Sequence, residues 1–307
     1  MNNIQYPSYL TLLASGELEK RIKSAHSLLS DCTLCPWKCG VDRTKGEMGE
    51  CQTGSTARVY SYMPHHGEER PLRGRHGSGT IFFSGCNMHC QFCQNADISQ
   101  DIYGMLVSAD KISAMMLDLQ ARGCHNINLV SPTHVIPQIL DALLIAAQKG
   151  LRLPIVYNSG GYDAMNTLEL LDGIIDIYMP DMKYAGAEIA KKYSLIPDYP
   201  YHNQKAVKEM YRQVGDLELD NNGIAARGIL VRHLVLPHNI SGTKGVMAYL
   251  ARDISTNTYV NIMDQYRPEY HAHQFPELFR RTSVDEFQTA VDLAIGCGIE
   301  RIDHLKP

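Results

Sequence analysis

From Gly79 onward the chain alternates short apolar runs with longer stretches whose apolar positions recur at helical spacing. The runs are Thr80–Ser84, Asn126–Ser131, Ile155–Asn158, Ile174–Met179, Ile229–Leu236 and Thr258–Met263. Between them the spacing predicts helices over Ala109–Arg122, Val135–Lys149, Ala187–Tyr193 with Lys205–Val214, and Lys244–Arg252. A last helix is predicted over Val284–Ile295, before a short run at Ile299–Ile302. Strands separated by helices predict a parallel sheet, because a parallel neighbour cannot be reached through a tight turn. The fold class expected is α/β, a partial (β/α)6 barrel over residues 79–307, with a doubly wound open sheet as the alternative.

Ahead of Gly79 the pattern differs. Leu10, Leu13, Leu18, Ile22, Ala25 and Leu29 fall at roughly helical spacing, and Gly16 divides the stretch into two short helices. Residues 31–78 have little periodicity and many Gly, Pro, Cys and charged residues, including the loop Arg70–Gly79 (RPLRGRHGSG). That stretch is expected to be irregular and held by something other than a core. Residues 1–78 are therefore set apart as an amino-terminal cysteine-rich extension.

Composition narrows the classes. A net charge of −4 supplies no global basic field for nucleic acid or an anionic membrane. The longest apolar run, Ala142–Ala147, is far short of a membrane span, and the opening MNNIQYPSYL has no basic leader followed by an apolar stretch. A cytoplasmic enzyme is the expectation.

The nine cysteines change the picture most, since seven of them lie between Cys32 and Cys93. They form two tight sets, Cys32/Cys35/Cys39/Cys51 and Cys86/Cys90/Cys93, a pattern of metal ligands rather than of a disulfide framework. The second set sits in the loop directly after the first predicted strand of the sheet, where a β/α barrel carries its chemistry. Its three thiolates can hold three corners of an iron–sulfur cube and leave one iron open to a further ligand. The first set offers four thiols, the count of a structural zinc site or of a second iron–sulfur cluster.

The spacing Cys86-x3-Cys90-x-Phe92-Cys93 after a strand resembles the signature of the radical S-adenosylmethionine (SAM) enzymes. The resemblance implies a [4Fe–4S] cluster whose open iron chelates SAM, and reductive cleavage of SAM to a 5′-deoxyadenosyl radical that abstracts hydrogen. Met179-Pro180-Asp181-Met182-Lys183, Asn158-Ser159-Gly160-Gly161 and Val231-Arg232-His233 are similar to motifs of the glycyl-radical-enzyme activating enzymes. By that likeness Asn158, Ser159, Asp181, Lys183 and Arg232 surround SAM.

The first cysteine set, His66-Gly67-Glu68-Glu69 and Gly77–Phe83 resemble the pyruvate formate-lyase-activating-enzyme-like subgroup. This implies an electron donor such as flavodoxin or ferredoxin and a protein substrate, a glycine Cα–H in a partner enzyme, while a peptide, a tRNA base or a small metabolite is also open. One departure stands out: Ser131-Pro132-Thr133-His134 replaces the Gly-Gly-Glu that meets the SAM amino group in the activating enzymes. A hydroxyl, a carbonyl or His134 is the candidate substitute, with local packing of His134 at a helix start as the other reading.

Two further runs carry lesser expectations. His65–Glu69 is expected to be a hydrogen-bonded loop, with a ligand or proton-shuttle role as the alternative. Arg70, Arg73, Arg75 and His76 form a basic patch, read as a solvated loop unless it meets phosphate or an acidic partner. The competing function is a non-enzymatic iron–sulfur carrier or sensor. A zinc-dependent nucleic-acid-binding protein is disfavoured by the acidic balance.

Overall fold

The computed structural model describes residues 7–303; the segments 1–6, on which the leader reading partly rests, and 304–307 lie outside the described residues. Two helices, α1 (Tyr9–Ser15) and α2 (Glu17–Ser27), meet at Gly16, whose φ of 72° accounts for the expected break. The chain then runs through β1 (Ala57–His65), α3 (Arg70–Arg73), β2 (Ser78–Phe83), α4 (Ala96–Ser99), β3 (Met105–Val107), α5 (Ala109–Ala121) and β4 (Ile127–Val130). It continues through α6 (Ile136–Gln148), β5 (Ile155–Ser159), α7 (Met165–Leu171), β6 (Ile177–Pro180), α8 (Ala187–Ser194), α9 (Tyr199–Val214) and β7 (Glu218–Leu219). The remaining elements are β8 (Ala225–Leu234), α10 (Thr243–Tyr249), β9 (Tyr259–Met263), α11 (Val284–Gly296) and β10 (Arg301–Ile302).

The sheet order is β10-β9-β8-β6-β5-β4-β2-β1-β3, with β7 pairing β8 at the side. From β2 to β10 the neighbours on this path are parallel and follow chain order without reversal. A doubly wound sheet would reverse its order at a switch point, so that alternative is overturned. Burial agrees with a sheet wound in one direction. Ile155, Tyr157, Tyr178, Ile229 and Val231 pack with apolar residues of the helices in one large cluster. The alternate residues Val156, Ile177, Met179 and Leu230 gather in a separate cluster with Leu72 of α3.

Two expectations for residues 31–78 need correction. The stretch contains β1, which runs antiparallel to β2 and β3 and so lies in the same sheet. Its residues Arg58, Tyr60 and Ser61 are polar or half-exposed, as befits a strand near a sheet edge, and the apolar period that would have revealed it is weak. Nor is the cysteine-rich part coreless: Leu29, Cys32 and Leu34 form a small buried cluster, with Leu28 and Val41 against it. The boundary expected at 78/79 falls at the start of β2.

Candidate functional site

The loop after β2 carries Cys86, Cys90 and Cys93. It leaves the strand through Gly85 at φ 83°, where a Cβ would stand 2.7 Å from the Cys51 carbonyl and 2.9 Å from the Thr53 hydroxyl. Only glycine lets the two cysteine segments approach this closely. Each sulfur then meets one hydrogen-bonding group. The Met88 N–H points at Cys86 Sγ (3.4 Å), the Ser194 hydroxyl donates to Cys90 Sγ (3.1 Å), and the Ser99 hydroxyl lies 3.1 Å from Cys93 Sγ. Burial pushes the Cys86 thiol up to about 12 and raises Cys90, with Lys183 opposing the latter.

These thiols open onto a cavity of about 420 Å³. Asn158, Ser159, Asp181, Lys183 and Arg232, all singled out in the sequence, line the same cavity. They reach it from the carboxyl ends of β5, β6 and β8, because parallel strands in register present their ends together. Lys183 Nζ forms an ion pair with Asp181. Burial alone would lower the Lys183 pKa, but Asp181 and Cys90 outweigh it and hold the ammonium well above its ordinary value. The Tyr199 hydroxyl accepts from the Lys183 N–H (3.0 Å) and faces the carbonyls of Gly160 (2.9 Å) and Asp181 (3.0 Å), fixing the turn that carries the pair.

Ser159 reaches the site differently from the expectation. Its hydroxyl donates to Asp163 (2.7 Å) and accepts from the Gly161 N–H (3.1 Å), so it holds the Asn158–Gly161 turn in shape. Asp163 also accepts from Tyr157 and Thr133, and this buried carboxylate ties the ends of β4 and β5 together. Arg232 is likewise engaged: Glu69 takes its guanidinium in a two-bond fork at 2.7 Å each, and Glu68 pairs with Nη2. The hydrogen-bonded-loop reading of His65–Glu69 is thus met, and the loop lines the cavity as well. His134 points elsewhere. Its Nε2–H donates to the Ser84 carbonyl at 2.8 Å in a short helical turn, as the local-packing reading expected, and burial lowers its pKa to about 4. Of the loop replacing Gly-Gly-Glu, Ser131 lines the cavity.

Several residues escaped the sequence reading. Ser99, Ser194, Tyr199, Asn203 and Asn261 carry no motif, and all but Ser99 come from segments distant from the groups they meet. Only their hydrogen bonds to cysteine sulfurs, to the Asp181 carbonyl or to Glu69 reveal them.

In the first cysteine set Cys32, Cys35 and Cys51 are buried and Cys39 is exposed. Burial raises the Cys35 thiol, with Cys51, Cys32 and Cys39 adding to it, so the four are electrostatic neighbours. Arg43, 1% exposed, donates to the Gly54 and His134 carbonyls beside them. Among the described residues, no group of three or more His, Cys, Asp or Glu is gathered as a metal-ion site. The donor chemistry at Cys86, Cys90 and Cys93 nevertheless fits an iron–sulfur cube. Three soft sulfurs, each with a hydrogen-bonding neighbour, face a cavity that leaves room for an exogenous ligand.

Comparison with known proteins bears on this reading. The family model of the radical SAM superfamily matches residues 80–215. The chain is 30% identical over 286 residues to the uncharacterized protein MJ0674 of Methanocaldococcus jannaschii, covering 90% of this chain and 78% of that one. Among solved structures, a radical SAM methyltransferase from Sphaerobacter thermophilus superposes with a TM-score of 0.51 at 15% identity. The match covers 73% of this chain and 64% of that structure, a likeness of fold. Among the described residues no helix is long and apolar enough to cross a membrane.

Proposed function

Since residues 80–215 match the radical SAM superfamily, a match that implies a [4Fe–4S] cluster and SAM, we propose that the chain is a radical SAM enzyme whose cluster is held by Cys86, Cys90 and Cys93. The observation that carries this is the convergence of the three thiols with Asp181, Lys183 and Asn158 on one cavity. When bound, the cluster supplies the electron that cleaves SAM to methionine and a 5′-deoxyadenosyl radical, which abstracts hydrogen from a substrate.

The chain's own residues bind and orient. Lys183 offers a permanent cation to the SAM carboxylate, and Asp181 offers an acceptor for ribose hydroxyls or the amino group. Ser159 and Tyr199 fix the two turns that present them. Arg232 with Glu68 and Glu69 forms the far wall, where a buried ion network keeps charge in a set geometry. Phe92, Tyr184 and Tyr266 pack edge to face behind the cysteine loop and exclude water from it.

The same reading takes the sheet as a partial barrel over 79–307. Residues 1–78 form an amino-terminal extension that contributes β1 and a second metal site on Cys32, Cys35, Cys39 and Cys51, zinc or iron–sulfur. Seven close-set cysteines read as metal ligands support a reducing compartment such as the cytoplasm, with flavodoxin or ferredoxin as electron donor. Within the oxidoreductases, likeness to the pyruvate formate-lyase-activating-enzyme subgroup supports a protein or peptide substrate, including glycyl-radical activation.

The test is 5′-deoxyadenosine formation by the anaerobically reconstituted protein with SAM and a strong reductant, alone and with protein, RNA or small-molecule fractions. Stimulation by the protein fraction supports the activase reading, and stimulation by another fraction removes it. An intact cluster without SAM cleavage under any condition replaces the enzyme by a carrier or sensor.

A further inference from the structure

We propose that the end of the sheet opposite the cysteine loop carries a second binding site, for a small phosphorylated molecule with hydroxyl groups. The proposal does not depend on the radical chemistry. A cavity of about 740 Å³ opens there, larger than the one at the cysteines and of the size that small-molecule ligands occupy. It lies where the parallel strands begin: His125 precedes β4, Ile224 precedes β8, and Tyr259 and Arg301 are the first residues of β9 and β10.

Its cationic wall is the loop Arg70–Gly79. The sequence favoured a solvated surface loop here, and the structure shows a pinned one. Gly77 N–H donates to the Arg73 carbonyl (2.7 Å), His125 N–H to the Gly77 carbonyl (3.2 Å), and Asn126 Nδ2 to the Leu72 carbonyl (2.9 Å). Gly74 takes φ 44°, and a Cβ on it would stand 2.4 Å from His125 Nε2 and 2.6 Å from Ile224 Cδ1. The His76 N–H points at His125 Nε2 (3.3 Å), and the two rings lie 5.6 Å apart. A backbone fixed this tightly holds its side chains over the cavity with little ordering left to lose on binding.

Two charges on this wall are uncommitted. Arg73 and Arg75 line the cavity, and among the described residues neither forms an ion pair or a side-chain hydrogen bond. By contrast Arg43, Arg212, Arg232 and Arg280 are bound by carboxylates or carbonyls. Two unpaired guanidiniums beside an imidazole pair, in a chain of net charge −4, are a local anion receptor. The facing wall has the opposite character. Asp220 Oδ1 accepts the N–H groups of Asn222 and Ile224, which keep this carboxylate ionised and fixed. A carboxylate so placed accepts from hydroxyls and repels a long polyanion. Phosphate at one wall and hydroxyls at the other describe a phosphate monoester of a hydroxylated carbon skeleton.

The experiment is isothermal titration of the full-length, cluster-containing protein with ribose 5-phosphate, inorganic phosphate and ribose, under anaerobic conditions. The expected result is saturable binding of ribose 5-phosphate, weaker binding of phosphate and none of ribose. The double variant Arg73→Ala/Arg75→Ala is expected to weaken ribose 5-phosphate at least about thirtyfold. Arg75→Gln alone, at an exposed position, weakens it about fivefold and serves if the double variant folds poorly. Asp220→Asn lowers affinity for ribose 5-phosphate and leaves inorganic phosphate unchanged. The proposal is overturned if no phosphorylated probe binds saturably, or if binding is indifferent to both arginine changes. It is also overturned if a short RNA binds with steep salt dependence where ribose 5-phosphate does not.

Discussion

The two cysteine sets lie back to back yet differ in what surrounds them. Cys86, Cys90 and Cys93 line a cavity with an ion pair, and each sulfur has a hydrogen-bonding neighbour. Cys32 packs with Leu29 and Leu34 and is reached by Arg43, Cys35 and Cys51 are buried, and none of the four lines either described cavity. One arrangement gives access to a ligand; the other gives a tie within a short irregular segment. The two are joined along a seam. Trp37 Nε1–H donates to the Asn87 carbonyl (2.8 Å), Glu50 faces His89 (3.2 Å), and Arg43 reaches the His134 carbonyl while His134 reaches Ser84. The first segment therefore shapes the second, although its own thiols stay out of the site.

The largest contrast is expected from single cysteine changes. Cys90→Ala should abolish 5′-deoxyadenosine formation and most of the iron–sulfur absorbance from its cluster, with the fold retained. Cys35→Ala should leave a measurable rate of SAM cleavage in the folded fraction while lowering thermal stability and metal content. Equal loss of SAM cleavage in both, in samples with the same circular dichroism, would erase the distinction between the sets.

Next is the ion pair on the cavity wall. Lys183→Met should weaken SAM binding by roughly ten- to a hundredfold, as expected for loss of a charge-assisted hydrogen bond from a desolvated site. Cluster content should not change, since Lys183 touches no cysteine sulfur by hydrogen bond. Equilibrium dialysis of labelled SAM measures the first and iron analysis the second. An unchanged SAM affinity would remove Lys183 from the site.

Acid sensitivity separates the seam from the strand wall. His134 and His233 are buried, and burial lowers both from 6.5 to about 4. His233 is held neutral between the Met182 carbonyl and the Thr243 hydroxyl. The unfolded chain binds these protons first, so their contribution is fully present above pH 6.5 and is lost as pH falls toward about 4. At neutral pH each contributes on the order of 3 kcal/mol relative to the acid limit. His134→Gln keeps a donor for Ser84 and should remove about half of the pH dependence of the melting temperature in that window. An unaltered profile would mean that other groups dominate.

How much of this was visible in the sequence follows from which interactions are local. The parallel strands and the long helices α5, α6, α9 and α11 were legible because each buries a full apolar face, and burial writes a period into the chain. The cysteine loop, Asn158-Ser159, Asp181 and Lys183 were legible as short motifs at strand ends. The strand β1 was not, since its burial alternates weakly and its pairing partners lie at β2 and β3. Likewise Arg232 could be named but not its fork with Glu69, which is 163 residues away along the chain. Ser99 and Ser194 gain meaning only when folding brings hydroxyls to sulfurs. The loop Arg70–Gly79 keeps Arg70, Arg75 and His76 exposed, as the solvated-loop reading expected, but its anchors were not legible: His125 and Asn126 belong to the approach to β4 and leave no mark on the loop's own composition.

The smallest expected effect is the most discriminating for the seam. Trp37→Phe keeps an aromatic ring beside His89 and Tyr162, whose centroids lie 5.7 and 6.2 Å from that of Trp37. It removes the N–H that meets the Asn87 carbonyl and leaves that carbonyl without this donor, a cost of about 1 kcal/mol. Asn87 sits between Gly85 and the second cysteine of the loop, and its side chain donates to the Tyr162 carbonyl. Loosening it should alter the loop before it alters the fold. The expected result is a melting temperature lowered by a few degrees at most, together with faster loss of iron on exposure to a chelator. If the seam only packs, the melting temperature will fall and iron retention will match that of the unmodified protein. If the first cysteine segment braces the second, iron retention will fall more than stability does.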